Sequence, residues 1–137
     1  MSLTPLVYTG MIPEVIPCLS VTLEGRVNTG TERFDVELKS GLGDSDVPFH
    51  ASFRFKEGIV VRNHRKKGGA WGSEEKEGAM SLSPGQDFII QFKINSNTIE
   101  MIVNGTHFSS FNHRLPMSSI SSVAVYGGAS VSSIKFI

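Results

Sequence analysis

The chain has 137 residues, 39% of them apolar and 19% charged, and a formal net charge of zero. That is one ordinary domain with enough apolar residue to bury a core, which excludes a disordered chain. The balanced charge excludes a whole-domain basic field for gripping nucleic acid, and no run approaches the roughly 20 apolar residues of a membrane helix.

Residues 1–16 contain proline, show no regular period and read as an N-terminal arm to a domain over residues 17–137. Met1 to Thr9 lacks the basic stretch and apolar run of a signal peptide. Cys18, the single cysteine, cannot form an internal disulfide and reads as a small buried apolar residue. Alternation then begins. Leu19, Val21 and Leu23 share one face with Ser20, Thr22 and Glu24 on the other. Phe34, Val36 and Leu38 alternate with Asp35, Glu37 and Lys39. Phe88, Ile90, Phe92 and Ile94 form a third such run, and Ile99, Met101 and Val103 a fourth. Val123 and Val125, then Val131, Ile134 and Ile137, close the chain. A period of two puts one face of each strand on a core and the other toward solvent or a groove.

Turn chemistry separates the runs: Asn28-Thr29-Gly30, Ser40-Gly41, Ser83-Pro84-Gly85, Asn104-Gly105 and Gly127-Gly128. Asn104-Gly105 after an alternating run is a hairpin signal, and its fit to a glycosylation sequon with Thr106 reads as turn chemistry. No window carries a helical period. Many short strands predict an all-β fold, an antiparallel sandwich or barrel, in one domain with no internal repeat.

The stretch 46–77 carries the chemistry. His50, Ser52 and Arg54 are spaced by two and share a strand face, with Phe49, Phe53 and Phe55 on the other. Trp71 is the only tryptophan and sits among Gly69, Ala70 and Gly72, which leave its ring open to a ligand. Glu74 and Lys76 follow at two-residue spacing; a Glu74–Arg54 pair would fix the guanidinium. These parts suit a sugar. Galactose has an axial 4-hydroxyl, so one ring face is rich in C–H groups on which an aromatic plane can stack. His50 and Arg54 can donate to the axial hydroxyl, Glu74 can accept from another, and Asn63 can bond an exocyclic hydroxyl.

This constellation resembles the carbohydrate-recognition domain of galectins, whose pattern is His-x-Asn-Pro-Arg, then Val-x-Asn, then Trp-Gly-x-Glu-x-Arg. Val103-Asn104-Gly105, Phe111-Asn112-His113-Arg114-Leu115-Pro116 and the ending Ile134-Lys135-Phe136-Ile137 match further galectin segments. The resemblance covers the chain from about residue 17. It implies a two-sheet jelly-roll sandwich with a sugar groove across one concave sheet. It implies a prototype-like, calcium-independent lectin for lactose or N-acetyllactosamine type glycans, with no cofactor and no metal. It also implies cytoplasmic synthesis, export by a non-classical route, and homodimerisation by analogy with single-domain members. The implied carbohydrate-binding residues are His50, Ser52, Arg54, Asn63, Trp71, Glu74 and Lys76.

The departures are specific. The family Asn falls on Ser52, the Pro on Phe53 and the last Arg on Lys76, and the span from Asn63 to Trp71 is one residue longer. Ser52 shortens a sugar contact, and Lys76 loses the planar fork. Altered specificity or reduced affinity is expected; the other reading is a protein-interaction module on the same fold.

Catalysis is not expected, because a glycosidase needs a protonated carboxyl opposite a second one, and Glu74 alone would face the groove, among cations. Asp44-Ser45-Asp46 lacks the glycine and distal glutamate of a calcium loop, and His50, His64, His107 and His113 show no metal-ligand spacing. The run Arg62, His64, Arg65, Lys66, Lys67 reads as a solvated loop beside the groove, and no nucleic-acid or membrane partner is expected.

Overall fold

The computed structural model describes residues 5–137; the first four residues of the expected arm lie outside the described residues. The strands are β1 (Leu6–Met11), β2 (Leu19–Val27), β3 (Arg33–Lys39), β4 (Val47–Arg54), β5 (Ile59–Arg65), β6 (Asp87–Ile94), β7 (Thr98–Val103), β8 (Thr106–Asn112), β9 (Ser122–Gly127) and β10 (Ala129–Phe136). Among the described residues one 3-10 turn, Met117–Ser119, precedes β9. They form two five-stranded antiparallel sheets, ordered β1-β9-β3-β4-β5 and β10-β2-β6-β7-β8. Part of the N-terminal segment is thus itself a strand, β1, paired to β9 at one edge.

The alternating faces decide which side of each sheet is covered. Phe34 on β3 stacks on Phe53 of β4 at 4.5 Å and on Phe88 of the opposite sheet at 5.4 Å. Phe49 meets Phe111 edge-on at 5.1 Å. All five rings are fully buried, each worth about 1.5–3 kcal/mol of burial. The Asn104-Gly105 hairpin joins β7 to β8 with both residues at positive φ, 48° and 82°, which Asn and Gly tolerate at least cost. Cys18 differs from expectation. It is exposed and has φ of 71°, so it turns the chain into β2 instead of packing in the core.

The site depends on the register of β3 against β4. Arg33 pairs with Arg54, Asp35 with Ser52, and Glu37 with His50. Since Phe34, Val36 and Leu38 point to the core, Arg33, Asp35, Glu37 and Lys39 point the other way, beside His50, Ser52 and Arg54.

Candidate functional site

A groove of about 870 Å³ crosses the β1-β9-β3-β4-β5 sheet, lined among others by Arg33, Glu37, His50, Arg54, Trp71 and Glu74. Its floor is a chain of charges. Arg33 donates from Nε to Asp35 Oδ1 at 2.9 Å and from Nη2 to Asp35 Oδ2 at 2.6 Å. His50 Nε2 lies 2.7 Å from Asp35 Oδ2, and His50 Nδ1 lies 2.8 Å from Glu37 Oε2. Asp35 is 1% exposed, Glu37 5% and His50 5%, so these bonds are made out of water.

Burial alone would depress the His50 imidazole, but hydrogen bonds and charge from Asp35 and Glu37 together outweigh it and raise it above 6.5. Burial alone would likewise raise the Asp35 carboxyl, and His50 and Arg33 together hold it below 3.8. Tyr126 of β9 lines the same groove; burial first, then the charge of Glu37 and a hydrogen bond to it, push its phenol up to about 12. With His50 protonated, Arg33, Asp35, His50 and Glu37 alternate in sign and balance, the condition under which buried charges are tolerated.

The outer wall is built differently. Residues 71–77 form no regular strand, yet Trp71 bridges to Arg65 and Glu75 to Arg62 on β5. Gly72 N donates to His64 O at 3.0 Å, and Arg62 and Glu75 exchange backbone bonds of 2.8 and 2.9 Å. Gly72 is required by space: a Cβ there would lie 2.3 Å from His64 Cε1 and 3.0 Å from Arg114 Nη1. Buried Arg62 donates to the carbonyls of Val60 and Glu77 and lies over the Phe108 ring. Arg114, over Phe111, donates to Asn63 Oδ1, His64 Nδ1 and Glu75 Oε2 at 3.0–3.1 Å. Burial first, then the charges of Arg114 and Lys66, pull His64 below 6.5 and suit it to accept that bond. What this wall presents is Trp71, 45% exposed, edge-on to His50 with ring centroids 4.7 Å apart and with Arg65 over its face at 5.3 Å.

The family model for galactoside-binding lectins matches residues 7–136. The chain belongs to that family, the galectins. Over 120 residues it is 33% identical to galectin-4 of Bos taurus, covering 87% of this chain and 36% of the relative. Over 127 residues it is 32% identical to the 32 kDa beta-galactoside-binding lectin of Caenorhabditis elegans, covering 90% of this chain and 45% of the relative. The chain thus spans less than half the length of these curated relatives. Sheep galectin-11, solved in complex with glycerol, superposes with a TM-score of 0.87 at 29% identity, covering 97% of this chain and 98% of that one. The crystal structure of Caenorhabditis elegans galectin LEC-6 gives 0.86 at 26% identity, covering 99% and 94%. Galectins are carbohydrate-binding lectins and not enzymes, and the all-β two-sheet sandwich expected from the sequence is the fold observed. No helix among the described residues is long and apolar enough to cross a membrane.

In this galectin five of the seven sequence candidates line the groove: His50, Arg54, Asn63, Trp71 and Glu74. Ser52 lies fully buried beneath it, its Oγ accepting from Arg54 Nε at 3.1 Å. Lys76 is exposed outside the groove lining. The expected Arg54–Glu74 pair does not form; Glu74 pairs with Lys76 at 3.3 Å, its neighbour two residues along the same extended wall. Asn63 is committed to the framework, donating to Gly72 O at 2.8 Å and accepting from His64 N at 2.8 Å. The basic run is a solvated loop only at Lys66 and Lys67, which are exposed beyond the strand; Arg62, His64 and Arg65 belong to β5, and Arg62 is 3% exposed. Sequence reasoning missed Arg33, Asp35 and Glu37. The signal was present in their alternation with Phe34, Val36 and Leu38, but charges on an outward strand face pass for ordinary solvated surface.

Proposed function

We propose that the groove binds β-galactoside glycans without catalysis, with a specificity or affinity shifted from the lactose-type pattern. The observation that carries this is the half-exposed Trp71 ring standing over the groove beside His50, with Arg54 and Glu74 lining the same space. An aromatic face there can cover the C–H face of a galactose ring, while the Arg54 guanidinium donates to the axial hydroxyl and Glu74 accepts from its neighbour. Two features support the shift. Ser52 is buried and too short to reach a ligand, and both ring nitrogens of His50 already have partners. The same two features favour a second reading, a protein-interaction module that has given up sugar.

A glycan array with the purified chain, followed by titration calorimetry on each positive, separates them. Binding confined to galactose-containing glycans is the expected result. A blank array, together with a calorimetric blank for lactose at millimolar concentration, would move the function to the interaction module.

A further inference from the structure

The row Arg33–Asp35–His50–Glu37 is more than a support for the sheet, because it decides which donors the groove can offer. A histidine at the floor of a sugar groove is useful when a ring N–H is free to meet a hydroxyl. Here an oxygen of Asp35 sits 2.7 Å from Nε2 and an oxygen of Glu37 2.8 Å from Nδ1, so both in-plane directions of the ring are occupied. Asp35 is pinned as an anion by the two-pronged bond from Arg33, and an anionic carboxylate only accepts, so Nε2 carries its hydrogen toward Asp35. Whichever way the proton of the Glu37 bond lies, Nδ1 is occupied as well. A ligand that displaced either carboxylate would leave a buried charge without its partner.

We propose that Asp35 and Glu37 are the specificity-determining residues of this groove: they take both ring nitrogens of His50, withhold its donors from a ligand, and leave Arg54 and Trp71 to meet the sugar. The inference rests on the galactoside reading above. By it, Asp35 and Glu37 are positioning residues, and the ligands selected are those whose stacking face and axial hydroxyl engage Trp71 and Arg54 without help from the histidine. The groups that share the groove with His50 fit this division. Arg33 and Lys39 stand on β3, Arg65 on β5 and Tyr126 on β9, with Asp44 in the turn before β4 and Glu74 on the outer wall. Lys39 Nζ donates to Gly43 O, and Arg33 gives its Nε and Nη2 to Asp35. Among the described residues the only hydrogen bond from the Arg54 guanidinium is the one from Nε to Ser52, so its two terminal nitrogens face the groove uncommitted.

The test uses the whole chain, with lactose as probe. Nitrogen NMR of the His50 ring is recorded between about pH 5 and pH 8.5, with and without lactose, on wild type, Asp35→Ala and Glu37→Ala. In wild type both ring nitrogens should hold their hydrogens above the pH at which an ordinary histidine titrates, about 6.5, and saturation with lactose should barely move them. Each variant releases one ring nitrogen. Its His50 should titrate lower, and its lactose affinity should rise roughly tenfold, the worth of one restored polar bond. Glu37→Ala keeps the test open if Asp35→Ala does not fold. A lactose-binding wild type whose His50 titrates like an exposed histidine, or whose ring nitrogens shift on binding as donors to the ligand, overturns this proposal and leaves the galactoside reading standing. Lactose bound by neither wild type nor variants, with the ring still held, overturns both.

Discussion

The floor of the groove and the wall that carries Trp71 hold their polar residues by different means. On the floor, side chains hold side chains: Arg33, Asp35, His50 and Glu37 bond one another out of water, and the backbone beneath them is ordinary sheet. On the wall, side chains also hold backbone, beside the side-chain bonds that Arg114 makes to Asn63, His64 and Glu75. Asn63 grips the Gly72 carbonyl and Arg62 the Glu77 carbonyl, which frees Trp71, Glu74 and Lys76 to face solvent. The floor therefore should answer to mutation with a loss of stability, and the wall with a loss of binding. A single groove can divide its labour this way because one surface is built from buried strands and the other is laid over an edge.

The sharpest way to break that contrast is at His50. His50→Ala leaves Asp35 and Glu37 buried with no cation between them, and should cost about 3–5 kcal/mol in urea unfolding. A variant within about 1 kcal/mol of wild type would show that the floor is not closed in the way described. On the wall, Trp71→Ala should lose more than about 2 kcal/mol of galactoside binding by calorimetry, the scale of an aromatic hot spot, with an unchanged far-UV circular dichroism spectrum. Unfolding of that variant would place Trp71 in the core and erase the distinction. Ser52→Asn combined with Lys76→Arg adds a longer amide at the floor and a planar fork on the wall. A gain of about tenfold in lactose affinity is expected, roughly 1.4 kcal/mol. Equal affinities would mean that neither substitution reaches the ligand.

The mildest probe is pH. Asp35 is held below 3.8 in the folded protein, so its contribution to stability is present above that value and is lost as pH falls through the depressed one. His50 is held above 6.5, so its contribution is complete below 6.5 and is lost as pH rises through the raised value. The Asp35 and His50 contributions together should therefore form a plateau between about pH 4 and pH 6.5 and decline on both sides, while His64, held below 6.5, adds stability as pH rises toward 6.5. Continued gain in stability above pH 7 would contradict the raised imidazole.

Much of this was legible in the sequence, and the limits have physical causes. Strands β2, β3, β6 and β7 follow from alternation, because the period of two survives wherever one face is buried. The β7–β8 hairpin follows from Asn104-Gly105 for the same kind of local reason. His50, Arg54, Trp71 and Glu74 could be placed on one groove from spacing and resemblance. Partners across strands could not. Spacing along β4 brings His50 near Arg54, but only the β3–β4 register puts Asp35 and Glu37 against the imidazole. Arg54 and Glu74 were an attractive pair because opposite charges attract, yet Ser52 lies nearer to Arg54 along β4 and Lys76 nearer to Glu74 along the outer wall. Arg62 looked like a surface cation, since nothing local marks an arginine whose task is to hold another segment's backbone. Cys18 was misjudged because average burial says nothing about a residue bent to positive φ at a strand entrance.

The nearness of Trp71 to His50 has an optical consequence. Trp71 is the only indole in the chain, and the imidazole stands nearly perpendicular to it with ring centroids 4.7 Å apart. A protonated imidazole accepts an electron from excited indole and quenches it; the neutral ring quenches far less. Indole emission should then be dim at low pH and brighten as His50 loses its proton, while a sugar laid over the exposed indole face would shift the same band to the blue. One dye-free fluorescence trace would read the state of the floor and the occupancy of the wall together.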